Sequence, residues 1–147
     1  MSHIATYHTR IRVKPLPADS EAAREDPSWQ LLREAVAMTA NELGGQVTDS
    51  VRDYYDAVRW CDIGIITPDF SRGVGLRVVR QTGEIHFLYD PYGDRSGAAK
   101  RICDRVTQNY TTLATVRALQ ALNYDIEIET TEEGPTGRRL VTIRGVD

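Results

Sequence analysis

The stretch between residues 47 and 89 sets the tightest limit on what this chain can fold into. A polar, aromatic segment through Val51, Tyr54, Tyr55 and Val58 leads into three runs, 61–66, 75–80 and 84–89. These runs are rich in the β-branched and aromatic residues that suit a pleated surface. Pro68-Asp69, Arg72-Gly73 and Thr82-Gly83 separate them at short intervals. A parallel crossover needs a dozen or more connecting residues. The gaps here are shorter, so the runs predict an antiparallel meander with tight turns.

Elements on either side of the meander must then cover it. Residues 4–13 alternate, with Ala5, Tyr7, Thr9, Ile11 and Val13 on one side and Ile4, Thr6, His8, Arg10 and Arg12 on the other, which predicts a first strand. Residues 14–26 hold two prolines and mixed charge without a period, as expected of a surface loop. Asp26 can cap a helix that Pro27 opens. Trp29, Leu32, Ala35, Val36, Ala40 and Leu43 form its apolar stripe, and Gly44-Gly45 stop it. A second helical pattern runs through Ile102, Val106, Tyr110, Leu113, Val116 and Leu122. Asn109, Thr111 and Thr112 are weak helix formers and allow a bend there. Residues 125–130 and 140–144 alternate around a turn at 133–137, which predicts a terminal hairpin. The expected class is α+β, in the order β-α-β-β-β-α-β-β. It has a mainly antiparallel sheet, two helices on one face, and a single domain over 1–147.

Composition narrows the setting. Hydrophobic residues at 41% and charged residues at 27% are those of a chain that buries a core. No apolar run approaches the roughly 20 residues a membrane helix needs. The start, Met1-Ser2-His3-Ile4-Ala5, lacks the basic flank and apolar stretch of a signal peptide, so the cytoplasm is the expected location, with no membrane partner. Cys61 and Cys103 lie far apart without metal-ligand spacing and read as core thiols. A net charge of −3 argues against a polybasic binder overall.

Catalytic and cofactor signatures are weak. The chain has no G-x-S-x-G, H-E-x-x-H or P-loop pattern. His8 and His86 can meet across neighbouring strands, and with Asp62 or Asp90 they would offer metal ligands. Strand histidines are more often solvated or structural, so no metal and no cofactor are expected. Asp90-Pro91-Tyr92-Gly93-Asp94 pairs carboxylates with a glycine but lacks the twelve-residue calcium spacing, and reads as a turn. Two binding surfaces remain. Tyr54, Tyr55 and Tyr92 are candidates for an exposed aromatic contact with a partner protein. Alternatively, Arg72, Arg77, Arg80, Arg138 and Arg139 would engage nucleic acid or a nucleotide alongside tyrosines, against the aspartates of the same region.

Several segments also resemble a known family. Met1-Ser2-His3-Ile4 with Thr9-Arg10-Ile11, then Cys61-Asp62-Ile63-Gly64-Ile65, Val106-Thr107-Gln108-Asn109-Tyr110 and Arg139-Leu140-Val141-Thr142-Ile143 occur in the order seen in those proteins. The chain resembles the family first named hypothetical chloroplast reading frame thirty-five, with relatives in cyanobacteria, other bacteria and their viruses. It departs from that pattern in the long connection 14–26 and the polar segment 90–94. The family carries no established activity, so the resemblance implies a fold and a cellular setting and transfers no catalytic residue. Bacterial members are often encoded beside AAA+ ATPases of the MoxR type, so it implies an accessory or adaptor role by association.

Overall fold

The computed structural model describes residues 3–133 and 138–146. Its elements are β1 (Ala5–Arg12), α1 (Ser20–Glu25), α2 (Pro27–Glu42), β2 (Gln46–Arg52), β3 (Val58–Thr67), β4 (Phe70–Val79), β5 (Glu84–Tyr89), α3 (Ala98–Ala121), β6 (Asp125–Glu133) and β7 (Arg138–Val146). Within the span 1–147, two compact units can be distinguished, Met1–Tyr110 and Thr111–Asp147. The first holds an antiparallel sheet in the order β1-β5-β4-β3-β2, and the second holds the β6-β7 hairpin. The class is α+β with an antiparallel sheet. The hairpin turn at 134–137 lies outside the described residues.

Two local details differ from the sequence expectation. The polar segment before the first apolar run supplies a strand of its own, β2, paired with β3. Its sequence, QVTDSVR, hides the strand because it is an edge. Only Val51 is buried, and a register shift between Thr48 and Ser50 breaks the alternation. The presumed loop 14–26 contains α1, a six-residue helix capped by Asp19, whose carboxylate accepts from Glu21 N at 3.1 Å. Ala23 of α1 is buried. The strap before it is bonded to the sheet, with Val13 N donating to Gly83 O and Leu16 N to Arg80 O, each at 2.9 Å.

Register separates the two sheet faces. Tyr7, Phe87, Leu76 and Ile63 are direct partners across four strands and share one face, where Phe87, Leu76 and Ile63 are buried. Helix α2 starts as its sequence predicts, with Asp26 accepting from Ser28 N at 2.8 Å and Pro27 in the first turn. Its Trp29 and Arg33 line one groove with Ile63 and Val47, and Leu32, Ala35 and Val36 are fully buried. The opposite face carries His8, His86 and Arg77, again in direct register.

The first part of α3 is held to α2 by a buried amide. Asn109 donates to Thr39 Oγ1 and to Glu42 Oε1, both at 2.9 Å. Glu42 also pairs with Arg105. Tyr110 hydroxyl donates to Arg12 O at 3.0 Å. Asn109 is thus a helix residue whose low propensity is overridden by tertiary partners, and α3 runs on through Thr111 and Thr112 to Ala121. No helix among the described residues is long and apolar enough to cross a membrane.

Candidate functional site

The connection between β2 and β3 builds the most organised exposed feature. Asp53 folds it: its Oδ1 accepts from Tyr55 N at 2.8 Å and from Ala57 N at 2.9 Å, while Asp53 N donates to Ala57 O at 3.0 Å. Asp56 takes φ 66°, a conformation that a short polar side chain tolerates. The turn projects Tyr54 and Tyr55 outward.

A second loop meets it. Asp90, only 1% exposed, follows β5 and accepts from Tyr54 N at 2.8 Å through Oδ2 and from Tyr92 N at 3.0 Å through Oδ1. Arg72 closes the arrangement by donating to Asp90 O at 3.0 Å and Tyr92 O at 2.7 Å. The rings of Tyr54 and Tyr92 meet edge to face at 4.8 Å, and Tyr54 and Tyr55 at 5.4 Å. The Arg72 guanidinium lies 5.5 Å from the centre of the Tyr54 ring and 5.1 Å from that of Phe70. The structure therefore joins all three candidate tyrosines from the two loops in one cluster, with the Tyr54 and Tyr92 backbones tied to the buried Asp90 carboxylate and the Tyr55 backbone to Asp53. Tyr55 is 73% exposed, and Tyr54 and Tyr92 are about half exposed.

Sequence reasoning missed Val58 and Trp60 on the same hairpin. Both are well exposed, Trp60 at 68%. They pair with Arg52 and Ser50 of the edge strand. The signal available was the alternation of Val58 and Trp60 against Arg59, but beside Cys61 and Ile63 the tryptophan reads as core.

The arginine candidates do not gather in the same way. Arg72 is engaged by two carbonyls of the tyrosine cluster. Arg77 sits on the sheet face of His86, in register with it. Arg80 donates to Ala18 O at 3.1 Å and lines a pocket of about 320 Å³ with Trp29, Trp60 and Asp62. Arg138 and Arg139 belong to β7 in the second unit, and the Arg138 side chain lies outside the described residues.

The loop acids are used locally. Asp94 accepts from Ala98 N and Ala99 N, both at 3.1 Å, at the start of α3. With Asp90 holding Tyr54 and Tyr92, the segment 90–94 is a capping turn. Asp62 accepts from Val78 N at 2.8 Å. Neither Asp62 nor Asp90 is the carboxylate beside the histidines. That group is Glu84, whose Oε2 lies 3.2 Å from His86 Nε2.

Burial pushes the Cys61 thiol up to about 11 from 9.0, and Cys103 is pushed up by the same cause. The folded pKa of Cys61 lies above the unfolded one, so its contribution to stability is whole below pH 9.0 and is lost as pH rises towards about 11. Both thiols are expected to alkylate slowly in folded protein near neutral pH and quickly in urea, with the folded rate rising only in strong alkali. Rapid labelling of native protein at neutral pH would contradict this.

Comparison with models of known protein families, with curated proteins and with solved structures returned no match.

Proposed function

We propose that this chain is a small non-enzymatic binding or adaptor protein, and that Tyr54, Tyr55 and Tyr92 form its contact with a partner protein. One observation carries the proposal: three exposed rings are held in place by hydrogen bonds from their loops to the buried Asp90. Ordered aromatic side chains bury large area at low entropic cost, and Tyr, Trp and Arg dominate binding energy at interfaces. Trp60 and Val58 extend the apolar character along the hairpin. The partner class we favour is an AAA+ ATPase of the MoxR type, as the family resemblance implies. The proposed setting is the cytoplasm, where two separate thiols remain reduced.

The test is direct titration of the full chain against such an ATPase by calorimetry. Tyr55→Ala removes an exposed ring and leaves the fold intact, so it is expected to weaken binding about tenfold or more, or about 1.4 kcal/mol. Equal affinity for the parent, Tyr55→Ala and Tyr92→Ala would remove the cluster from the contact. The nucleic-acid or nucleotide alternative has less geometric support, because Arg72 is already engaged and Arg77 and Arg80 lie elsewhere on the sheet. Its mark would be binding that weakens steeply with salt and is insensitive to Tyr55→Ala.

A further inference from the structure

On the sheet face opposite Phe87, Leu76 and Ile63, His8 and His86 stand directly opposite each other in the β1–β5 ladder. Their ring centres are 4.2 Å apart with planes inclined at 44°. Glu84 precedes His86 by two residues and so shares its face. One ligand atom from each of the three residues lies within 4.8 Å of the others. This trio is independent of the tyrosine cluster and takes no part in the binding role proposed above.

Zinc bonds of about 2.0–2.2 Å to imidazole nitrogen and carboxylate oxygen place tetrahedral ligands roughly 3.3–3.6 Å apart. Closing the trio on an ion therefore needs movement of about an ångström, and His8 is an exposed residue. Two imidazoles and one carboxylate select zinc-like ions over magnesium or calcium, which prefer all-oxygen shells. Glu84 is already oriented: its Oε1 lies 3.4 Å from Arg12 Nη2, while Oε2 faces His86. A carboxylate held at its far oxygen and donating through the near one is a common arrangement around bound metal. Arg12 and Arg77 bring positive charge close to the trio, which moderates its affinity.

We propose that His8, His86 and Glu84 bind one divalent transition-metal ion of the zinc class, with the remaining position left to water. The location gives the ion a structural consequence. The β1–β5 ladder shifts register between His8 and Arg12, and β1 is an edge strand. An ion bridging His8 to His86 would clip that edge strand to its neighbour where backbone pairing is interrupted.

The experiment uses the untagged full chain carrying His3→Ala, which leaves His8 and His86 as its histidines. Zinc chloride is titrated at about pH 7.5, with magnesium chloride as the control. Calorimetry, imidazole ring resonances and the melting temperature are followed together. The expected result is one zinc per chain, shifts confined to the two rings, and a melting temperature that rises with zinc and not with magnesium. His8→Asn changes an exposed side chain and should cut zinc affinity about tenfold or more. Absence of saturable zinc binding to the parent overturns the proposal without reliance on any variant. Unchanged affinity in His8→Asn overturns it as well.

Discussion

Gly83→Ala is expected to lower the melting temperature by on the order of 10 °C. Gly83 sits at φ +75° in the turn between β4 and β5, and a Cβ there would lie 1.9 Å from the carbonyl oxygen of Val13. That oxygen cannot simply move aside. Val13 is buried, its N–H donates to Gly83 O at 2.9 Å, and Gly83 N donates to Val79 O at 2.7 Å. Alanine would have to adopt a left-handed conformation costing about 1–2 kcal/mol. It would also push the strap off the turn, losing at least one hydrogen bond worth roughly 1 kcal/mol. The sum is about 3 kcal/mol, a large share of the 5–15 kcal/mol that holds a typical domain together. Gly44→Ala isolates the conformational part. Gly44 also has positive φ, +67°, but nothing within 4 Å of an added Cβ, so about 1 kcal/mol is expected. Thermal melts of both variants by circular dichroism decide the matter. Equal shifts would mean that the contact between Val13 and Gly83 does not constrain the fold.

Asp90→Ala is expected to cost about 2–4 kcal/mol and to weaken partner binding as well. The carboxylate is buried and accepts from Tyr54 N and Tyr92 N. Removing it strands two N–H groups and frees two loops whose rings form the proposed contact. The stability loss reads out in urea denaturation. The binding loss reads out in the ATPase titration at a temperature where the variant is folded. Tyr55→Ala, by contrast, should reduce binding with little change in stability. Asp90→Ala retaining parental stability would show that water satisfies the two loops equally well.

Much of the fold is legible locally because its signals are local. The alternation in 4–13, the Asp26-Pro27 start of α2 and the Gly44-Gly45 stop each depend on a few neighbouring residues and appear in the structure near the expected positions. Strand β2 was hidden because an edge strand with polar residues and a register shift has no clean period of two. Helix α1 was hidden because six residues between prolines carry too few turns for a period to emerge. Helix α3 continues through Asn109, whose buried partners Thr39 and Glu42 lie 70 and 67 residues away, so that no window of sequence includes them.

The candidate sites divide along the same line. Residue types alone single out Tyr54, Tyr55, Tyr92, His8 and His86 as candidates, because aromatic and imidazole side chains on strands and turns are few and chemically distinctive. That Tyr54 and Tyr92 share one anchor, and that Glu84 rather than Asp62 or Asp90 stands beside the histidines, follow only from strand order and register. Sequence alone determined most of the elements, since those arise from interactions among near neighbours. Tertiary structure decided the sites, because placing β1 beside β5 joins residues some eighty positions apart, and that pairing is selected by the core as a whole.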